Sequence, residues 1–294
     1  MEIVRTSSFK GEQTSGKLYL VPTPIGNLSD MTPRAVTTLK EVALIAAEDT
    51  RNTAKLLNYF EIKVPQISFH EHNTKERIPY LIEKLLAGDD IAQVSDAGMP
   101  SISDPGQELV QACVKHQIPV VPLPGPNAAL TALIASGITP QPFIFYGFLP
   151  RKSKELKTEL DLLVNERYTL IFYEAPHRLK KTLKALCEVF GPNRQVALCR
   201  ELTKQYEEFL RGDLQAAYEF SQNSEVRGEF VIIVEGNLKP QTTKETLIEK
   251  QLSLKEQVEL LIAQGLKPNA AIKEVAKQND LKKQVVYNDY HEID

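Results

Sequence analysis

VSDAGMPSISDPG, from Val94 to Gly106, is the stretch that decides the fold of this chain. The apolar run Ile91–Val94 before it predicts a short buried strand. After it, the helical spacing of apolar residues in Gln107–Lys115 predicts a helix, with Asp104 as N-cap and Pro105 as its first residue. A connection of about ten residues is long for a strand-to-helix loop, and long ordered loops are usually functional. We therefore interpret the stretch as a ligand-binding loop, in preference to an ordinary surface connection.

Four more polar or Gly/Pro-rich segments follow predicted strands in the first half of the chain. They are PTPIGN at 22–27, EDTR at 48–51, HEHN at 70–73 and PGPN at 124–127. The predicted strands are 17–21, 42–47, 66–69, 91–94 and 118–123, and helices are predicted at 33–40, 53–60, 75–86, 107–115 and 128–136. Such alternation is typical of a mostly parallel sheet, whose loops meet at one edge. The five loops therefore predict one binding cleft.

The pattern changes after the Pro-containing segment 138–142, where we place a domain boundary. Beyond it, strands are predicted at 143–147, 169–174, 195–199, 207–210 and 229–235, with antiparallel pairing late in the sheet, and helices at 154–164, 179–189 and 214–220. Three helical segments, 254–264, 269–278 and 281–290, form the tail. The predicted organisation is a disordered lead at 1–16, α/β domains at 17–138 and 139–237, a linker at 237–245 and a small helical domain at 246–294.

Composition excludes several classes of protein. A formal net charge of −3 is unusual for a non-specific nucleic-acid binder, and the tail has no excess of basic residues, so we expect no DNA binding. Cys113, Cys187 and Cys199 lie in apolar segments without CxxC spacing, which predicts buried free thiols in a reducing compartment. No apolar run approaches the roughly 18 residues of a membrane span, and no signal-peptide core is visible. We expect a cytoplasmic protein with no membrane association.

Local motifs leave the chemistry open. The sequence contains no GxGxxG and no GxxxxGKS, the motifs typical of dinucleotide and nucleoside-triphosphate sites, so neither kind of site is indicated. His70 and His72 have a spacing that could bind a metal, but no third ligand is apparent, and polar residues at a cleft edge are the better interpretation. His177 is either a general base or a loop-fixing residue. Basic runs at 151–154 and 178–184 fit either a solvated face or a phosphate-bearing partner.

Taken together, the loops resemble those of the tetrapyrrole methylase superfamily, the class III S-adenosylmethionine methyltransferases, and within it the ribosomal RNA branch. The resemblance spans Lys17 to about Gly236 and is carried by VPTPIGNLSDMTPRA, AAEDTRNT, FHEHN, VSDAGMPSISDPG, PLPGPNA, FYGFLPRK, FYEAPHR and CRELTK. It implies two α/β domains with the cofactor in the cleft between them, here followed by a small C-terminal helical appendage, and a homodimer. PTPIGN replaces the GxGxGD turn of tetrapyrrole enzymes, and SDA replaces their GDP, which disfavours a tetrapyrrole substrate.

The resemblance also implies roles for individual residues. Cofactor contacts fall on Ile25, Asp96, Ala97, Gly98, Met99, Ser101, Asn127, Ala128, Glu174, Leu202 and Glu229. The implied reaction is in-line attack of a cytidine ribose 2′-hydroxyl, in the decoding region of 16S rRNA in the small ribosomal subunit, on the methyl group of S-adenosyl-L-methionine, without a metal. Glu201, Asp49 and His177 are candidates for the general base. Arg51, Arg178, Arg200 and Lys204 are candidates for RNA phosphate contacts, because guanidinium groups pair well with phosphate.

Two other functions remain open on the sequence alone. The chain could methylate a small tetrapyrrole, which predicts a deep, dry cleft without a basic rim. It could instead be a non-catalytic ribosome assembly factor that binds RNA and uses the cofactor pocket only structurally. Both free rRNA and an assembled small subunit fit the pattern as substrates.

Overall fold

A computed structural model describes residues 6–7, 15–223, 226–238, 252–263, 265–279 and 281–291. Most of the predicted lead, 1–16, and most of the predicted linker, 237–245, lie outside the described residues. The chain divides into two compact units, Met1–Gly236 and Asn237–Asp294. Both sheets described below lie in the first unit.

The first sheet is entirely parallel, as the alternating pattern predicts. Its order is β3-β2-β4-β1-β5, from strands β1 (Leu18–Leu20), β2 (Leu44–Ala47), β3 (Gln66–Ser68), β4 (Ile91–Val94) and β5 (Val120–Pro122). The helices are α1 (Pro33–Glu41), α2 (Thr50–Tyr59), α3 (Thr74–Leu86), α4 (Gln107–Lys115) and α5 (Ala128–Ser136). Because β1 lies between β4 and β5, the loops that follow these three strands are neighbours at the carboxyl edge.

The second sheet is mixed. Its order is β6-β7-β10-β8-β9, from β6 (Phe143–Phe148), β7 (Thr169–Glu174), β8 (Gln195–Arg200), β9 (Glu208–Asp213) and β10 (Phe230–Val234). β6 and β7 are parallel, whereas β10 is antiparallel to both β7 and β8, and β9 is antiparallel to β8. This confirms the predicted late antiparallel pairing. The helices of this half are α6 (Ser153–Leu163), α7 (Pro176–Phe190) and α8 (Leu214–Asn223).

Each face of each sheet is covered by helices. In β2, Ile45 and Ala47 pack with α1 and α2 on one face, while Leu44 and Ala46 pack with α3 and α4 on the other. This alternation follows from the two-residue period of a strand. Helices α6, α7 and α8 cover one face of the second sheet. Its other face is covered by α5, which packs on β7, β8 and β10 although it follows the last strand of the first sheet.

Several helix starts differ from the sequence prediction, and those of α4 and α2 have a clear structural cause. Helix α4 begins at Gln107 with Gly106 as its cap, not with Asp104 as cap and Pro105 as first residue. The carbonyl of Pro105 instead accepts a hydrogen bond from the buried Gln93 side chain at 2.5 Å. Helix α2 begins at Thr50 rather than at 53, because the carboxylate of Asp49 accepts the N–H of Arg51 and caps the helix earlier.

The C-terminal unit consists, in its described part, of α9 (Leu254–Ala263), α10 (Pro268–Gln278) and α11 (Lys283–His291). Its small core includes Val258, Ile272, Val275 and Val286. Within the described residues, no helix has the length and apolar character needed to cross a bilayer. All three cysteines are free; Cys113 and Cys199 are buried as predicted, but Cys187 is partly exposed, which corrects the prediction for that thiol.

Candidate functional site

The loops of both sheets enclose a cavity of about 310 Å³, here called the main cavity. Its walls come from the loops after β1, β4 and β5 of the first sheet and from the ends of β6, β7, β8 and β10 of the second. Nine of the eleven predicted cofactor residues line it: Ile25, Ala97, Gly98, Met99, Asn127, Ala128, Glu174, Leu202 and Glu229. Asp96 and Ser101 are the two that do not.

Antiparallel pairing explains how residues near 229 reach this site. Phe230, the first residue of β10, is paired with Glu174 at the end of β7 and with Arg200 at the end of β8. The start of β10 therefore lies where the two neighbouring strands end. Glu229, one residue earlier, is placed at the same edge and lines the main cavity.

The long loop after β4 is fixed at both ends. Near its start, the backbones of Thr23 and Gly98 exchange two hydrogen bonds, each 3.0 Å long, and the Thr23 hydroxyl donates to the carbonyl of Ser95 at 3.1 Å. Gly98 has a φ of 78°, a conformation that glycine adopts without strain. At the far end, Gly106 lies so close to the Gln93 side chain that any side chain at this position would collide with it. The loop is thus a preformed wall.

Asp96 lies outside the main cavity because its carboxylate turns toward α2. One carboxylate oxygen accepts the N–H of Asp49 at 3.2 Å, and the other accepts the Asn52 side-chain amide at 3.0 Å. Asp96 lines a neighbouring cavity of about 320 Å³, here called the second cavity. Ser101 has a φ of 69°, and its hydroxyl is buried away from the main cavity. Neither residue is placed to contact a ligand in the main cavity.

The walls of the main cavity are largely apolar, with a few polar groups. Residues that sequence reasoning missed include Ile102, Ser103, Asp104, Phe148, Tyr173, Ala175, Cys199, Phe230 and Val231. The Tyr173 hydroxyl accepts the N–H of Ala129 at 3.1 Å, which fixes the start of α5 at the cavity wall. Phe148 and Tyr173 pack edge to face, with ring centroids 5.6 Å apart. A signal was available for both, because Phe148 directly follows the predicted strand 143–147 and Tyr173 is the last residue but one of the predicted strand 169–174.

Lys204 is the cationic group of the main cavity. Its ammonium donates to Glu201 Oε1 and to Glu229 Oε2, each at 2.9 Å. Glu201 has a φ of 50° and also accepts the N–H of Glu229 at 2.9 Å. Burial acts to raise the pKa of Glu201, but the Lys204 ammonium and the Glu229 N–H outweigh it, so this pKa lies below its ordinary value. Glu201 is therefore a carboxylate that holds Lys204 in place.

The other two predicted general bases lie away from the main cavity. The side chain of Asp49 binds the guanidinium of Arg51 through two hydrogen bonds, at 3.0 and 2.7 Å. These bonds lower the pKa of Asp49 to about 2, which makes it a poor proton acceptor at neutral pH. His177 is an exposed residue at the start of α7 and does not line the main cavity.

Asp104 is the carboxylate that the structure adds to the site. It lines the main cavity and is half-buried. Burial raises its pKa, and the negative charge of Asp96 raises it further. The pKa of Glu48 is raised by burial as well, and by the charges of Asp104, Asp96 and Asp49. A carboxylate with a raised pKa inside a cavity is suited to accept a proton.

The predicted RNA contacts separate into exposed and internal groups. The side chain of Arg51 is 87% exposed. Arg200 is partly buried, and its guanidinium donates to the Arg227 carbonyl at 2.7 Å and to Glu208 at 3.1 Å. Arg178 forms an ion pair with the buried carboxylate of Glu174 and donates to the Leu149 carbonyl at 2.8 Å. Its guanidinium is thus committed to the fold, which corrects its assignment to RNA.

The HEHN loop after β3 contains the two histidines whose spacing could bind a metal. The rings of His70 and His72 lie 6.1 Å apart. Across the described parts of the chain, no group of three or more His, Cys, Asp or Glu side chains is arranged to hold a metal ion.

Comparisons with known proteins now give the family. Residues 17–218 match the family model of the Tetrapyrrole (Corrin/Porphyrin) Methylases. The chain is 52% identical over 287 residues to the Ribosomal RNA small subunit methyltransferase I of Bacillus subtilis (strain 168), with 98% of each chain covered. It is 47% identical over 272 residues to the protein of the same name from Synechocystis sp., covering 92% of this chain and 96% of that one.

Solved structures share the fold at low sequence identity. The methyltransferase CobJ superposes with a TM-score of 0.57 at 18% identity, covering 76% of this chain and 95% of that one. The uroporphyrin-III C-methyltransferase of Thermus thermophilus, complexed with S-adenosyl homocysteine, superposes with a TM-score of 0.54 at 19% identity, covering 75% and 97%. These similarities confirm the predicted fold class. With more than half of its length matched by the family model, this chain belongs to the tetrapyrrole methylase family.

Proposed function

We propose that this protein transfers a methyl group from S-adenosyl-L-methionine to the ribose 2′-hydroxyl of a cytidine in the decoding region of small-subunit rRNA. The observation that carries the proposal is the 52% identity, over 98% of both chains, to a relative named for methylation of small-subunit rRNA. The cavity supports it, since it is formed by the same loops on which the family resemblance rests.

The residues of the main cavity fit S-adenosylmethionine. About 310 Å³ is within the range of small-molecule sites, which are usually lined by apolar groups with a few polar ones. Ile25, Leu202 and Tyr173 offer apolar surface suited to an adenine ring. Asp104 and Glu229 supply carboxylates suited to hydroxyl or ammonium groups, and Lys204 supplies an ammonium suited to a carboxylate. S-Adenosylmethionine, when bound, supplies an electrophilic methyl group on a sulfonium sulfur.

The protein's own part in the reaction is to bind, position and accept a proton. The preformed wall at 95–106 and the start of α5 hold the reactants in one orientation, which can supply roughly 7–11 kcal/mol of the barrier reduction. We assign proton acceptance to Asp104. During methyl transfer this carboxylate would accept the proton that the ribose 2′-hydroxyl loses. Of the bases predicted from the sequence, Glu201 becomes a positioning residue for Lys204.

RNA contacts in this proposal are limited to side chains at the cleft edge. Arg51 and Arg200 are retained, with Arg51 the more accessible of the two. Lys204 lines the main cavity and is held by two carboxylates, so we assign it to the cofactor instead of RNA. We further propose that the enzyme acts as a homodimer on small ribosomal subunits in the cytoplasm.

The test is direct methyl transfer. Small subunits from a strain lacking this gene are incubated with the purified protein and isotopically labelled S-adenosylmethionine, and the rRNA is digested to nucleosides for mass analysis. We expect labelled 2′-O-methylcytidine from the decoding region. Tight cofactor binding without transfer to subunits would contradict the proposal and favour an assembly factor. Methyl transfer to a tetrapyrrole but not to subunits would contradict the proposal and favour a tetrapyrrole methyltransferase.

A further inference from the structure

The second cavity combines an aromatic ring, a lysine and a carboxylate, from Tyr59, Lys55 and Asp96. Its walls come from the loop after β1, from one face of α2 and from the start of the loop after β4. The residues are Thr23, Pro24, Gly26, Leu28, Asn52, Thr53, Lys55, Leu56, Tyr59, Ser95 and Asp96. Its volume, about 320 Å³, matches that of the main cavity and is sufficient for a small planar ligand.

The two cavities share a wall. In the segment 23–26, Ile25 lines the main cavity while its neighbours line the second one, and in the segment 95–98 Ala97 and Gly98 line the main cavity while Ser95 and Asp96 line the second. The paired backbones of Thr23 and Gly98 hold these segments together. Across this wall, the charge of Asp96 is close enough to raise the pKa of Asp104. The second cavity is therefore separated from the main cavity by the paired segments 23–26 and 95–98.

Tyr59 and Lys55 supply the groups that a nucleotide needs. The side chain of Tyr59 is 62% exposed, and its ring is held edge-on to Phe60 at 4.9 Å between centroids. An exposed ring in a fixed orientation is a platform on which an unstacked base can pack. The ammonium of Lys55 makes a long hydrogen bond to Asn52, at 3.4 Å, and lies on the exposed side of α2, where it can bind a phosphate.

Asp96 can distinguish cytosine from uracil. Its carboxylate accepts hydrogen bonds only, and two of its roughly four lone-pair positions are used by Asp49 and Asn52. It can accept a further bond from the exocyclic amino group of cytosine, whereas the corresponding carbonyl oxygen of uracil is itself an acceptor and has no proton to donate. We propose that the second cavity binds the base of the acceptor nucleotide, stacked on Tyr59, with Asp96 selecting an amino-bearing pyrimidine.

This inference rests on the proposed function, ribose methylation of RNA, and its test separates the two. Methyl transfer is measured on small subunits that carry cytidine or uridine at the target position. The wild-type protein is expected to prefer cytidine by about 5- to 150-fold, the range for one good base contact. Asp96→Asn is expected to abolish most of this preference, because an amide can donate to uracil. Its affinity for S-adenosylmethionine is expected to stay at the wild-type value.

The platform is tested by Tyr59→Ala, with Tyr59→Phe as the conservative variant and Tyr80→Ala as the matched control, since Tyr80 is an exposed tyrosine on α3. We expect Tyr59→Ala to raise the KM for subunits about tenfold, a loss comparable to that of one stacked base, and the other two to behave as wild type. An unchanged preference in Asp96→Asn, or equal KM values for Tyr59→Ala and Tyr80→Ala, would overturn the inference. So would a loss of S-adenosylmethionine affinity in Asp96→Asn with its preference retained.

Direct binding gives a readout independent of methyl transfer. Cytidine 5′-monophosphate and uridine 5′-monophosphate are titrated into the full-length protein and followed by NMR. Preferential binding of the cytidine nucleotide, weakened by Tyr59→Ala and by Asp96→Asn, supports the site even if no subunit is methylated, in which case only the proposed reaction fails. Equal, unsaturable shifts for both nucleotides would overturn the site.

Discussion

Replacement of Arg178 by Met tests whether this arginine belongs to the fold or to RNA binding. The change keeps the aliphatic stem but removes the guanidinium that pairs with Glu174 at 3.3 Å, where the two side chains are only 15% and 1% exposed. Removing one partner of a buried ion pair leaves the other charge uncompensated, which costs about 3–5 kcal/mol. The Glu174 carboxylate keeps two hydrogen bonds, from the Thr182 hydroxyl at 2.5 Å and the Ala175 N–H at 2.9 Å. We therefore expect a loss near the lower limit, about 3 kcal/mol.

The assay is thermal unfolding followed by circular dichroism. For a unit of this size, each kcal/mol lowers Tm by about 2–4 °C, so we expect a decrease of roughly 6–12 °C. Lys152→Met is the matched control, because it removes one member of an exposed pair, in which Lys152 is 79% exposed. Such pairs contribute little, so Tm should not change. Well below its Tm, Arg178→Met should bind small subunits like the wild type. An unchanged Tm together with weaker subunit binding would refute our assignment.

Three further predictions concern the main cavity. With Asp104 as proton acceptor, kcat/KM for methyl transfer should fall as pH decreases through a pKa above the ordinary 3.8, because the carboxylate must be ionised. Asp104→Asn should remove this acid limb of the pH–rate profile and lower kcat by about 10²- to 10⁴-fold. An unchanged pH–rate profile in this variant would exclude Asp104 as the proton acceptor. Lys204→Met should weaken S-adenosylmethionine binding, measured by calorimetry, by roughly 10- to 100-fold through loss of a charge-assisted hydrogen bond, and Lys152→Met should bind normally. Gly228 and Gly191 have φ values of 84° and 90°, but only at Gly228 would an added side chain collide with Glu201. Both alanine variants should therefore lower Tm, and only Gly228→Ala should also weaken cofactor binding. Equal cofactor affinities in the two variants would contradict a positioning role for Glu201.

Local signals in the sequence were sufficient to predict the ends of a helix where the residues at those ends cap or terminate it locally. Helix α5 spans 128–136 as predicted, because Asn127 caps its first turn and Gly137, at a φ of 82°, ends it. The start of α4 could not be predicted in this way. Asp104 is a good cap by type, but it turns into the main cavity, and the Pro105 carbonyl is held by Gln93, a contact that depends on tertiary structure.

The residues of the candidate site were likewise predictable only in part. Residues on loops after parallel strands were predictable, since such strands bring those loops to one edge. Six of the residues predicted to contact the cofactor reach the main cavity in this way: Ile25, Ala97, Gly98, Met99, Asn127 and Ala128. The direction of a side chain was not predictable. Asp96 and Ala97 are adjacent, yet they line different cavities. Arg178 follows a site loop like its neighbours, and only the buried carboxylate of Glu174 explains why it turns inward.

The position of β10 has a consequence for protein synthesis. This strand is the last of its sheet along the chain but lies in its centre, between β7 and β8, with all five residues buried. Until the ribosome has released residues 230–234, the nascent sheet exists as two separate pairs, each with an open apolar edge. Unpaired edges of this kind promote aggregation. Chains that terminate early, between α8 and β10, should therefore be substrates for chaperones and proteases. The main cavity, which β10 helps to line, can form only once nearly four-fifths of the chain has been made.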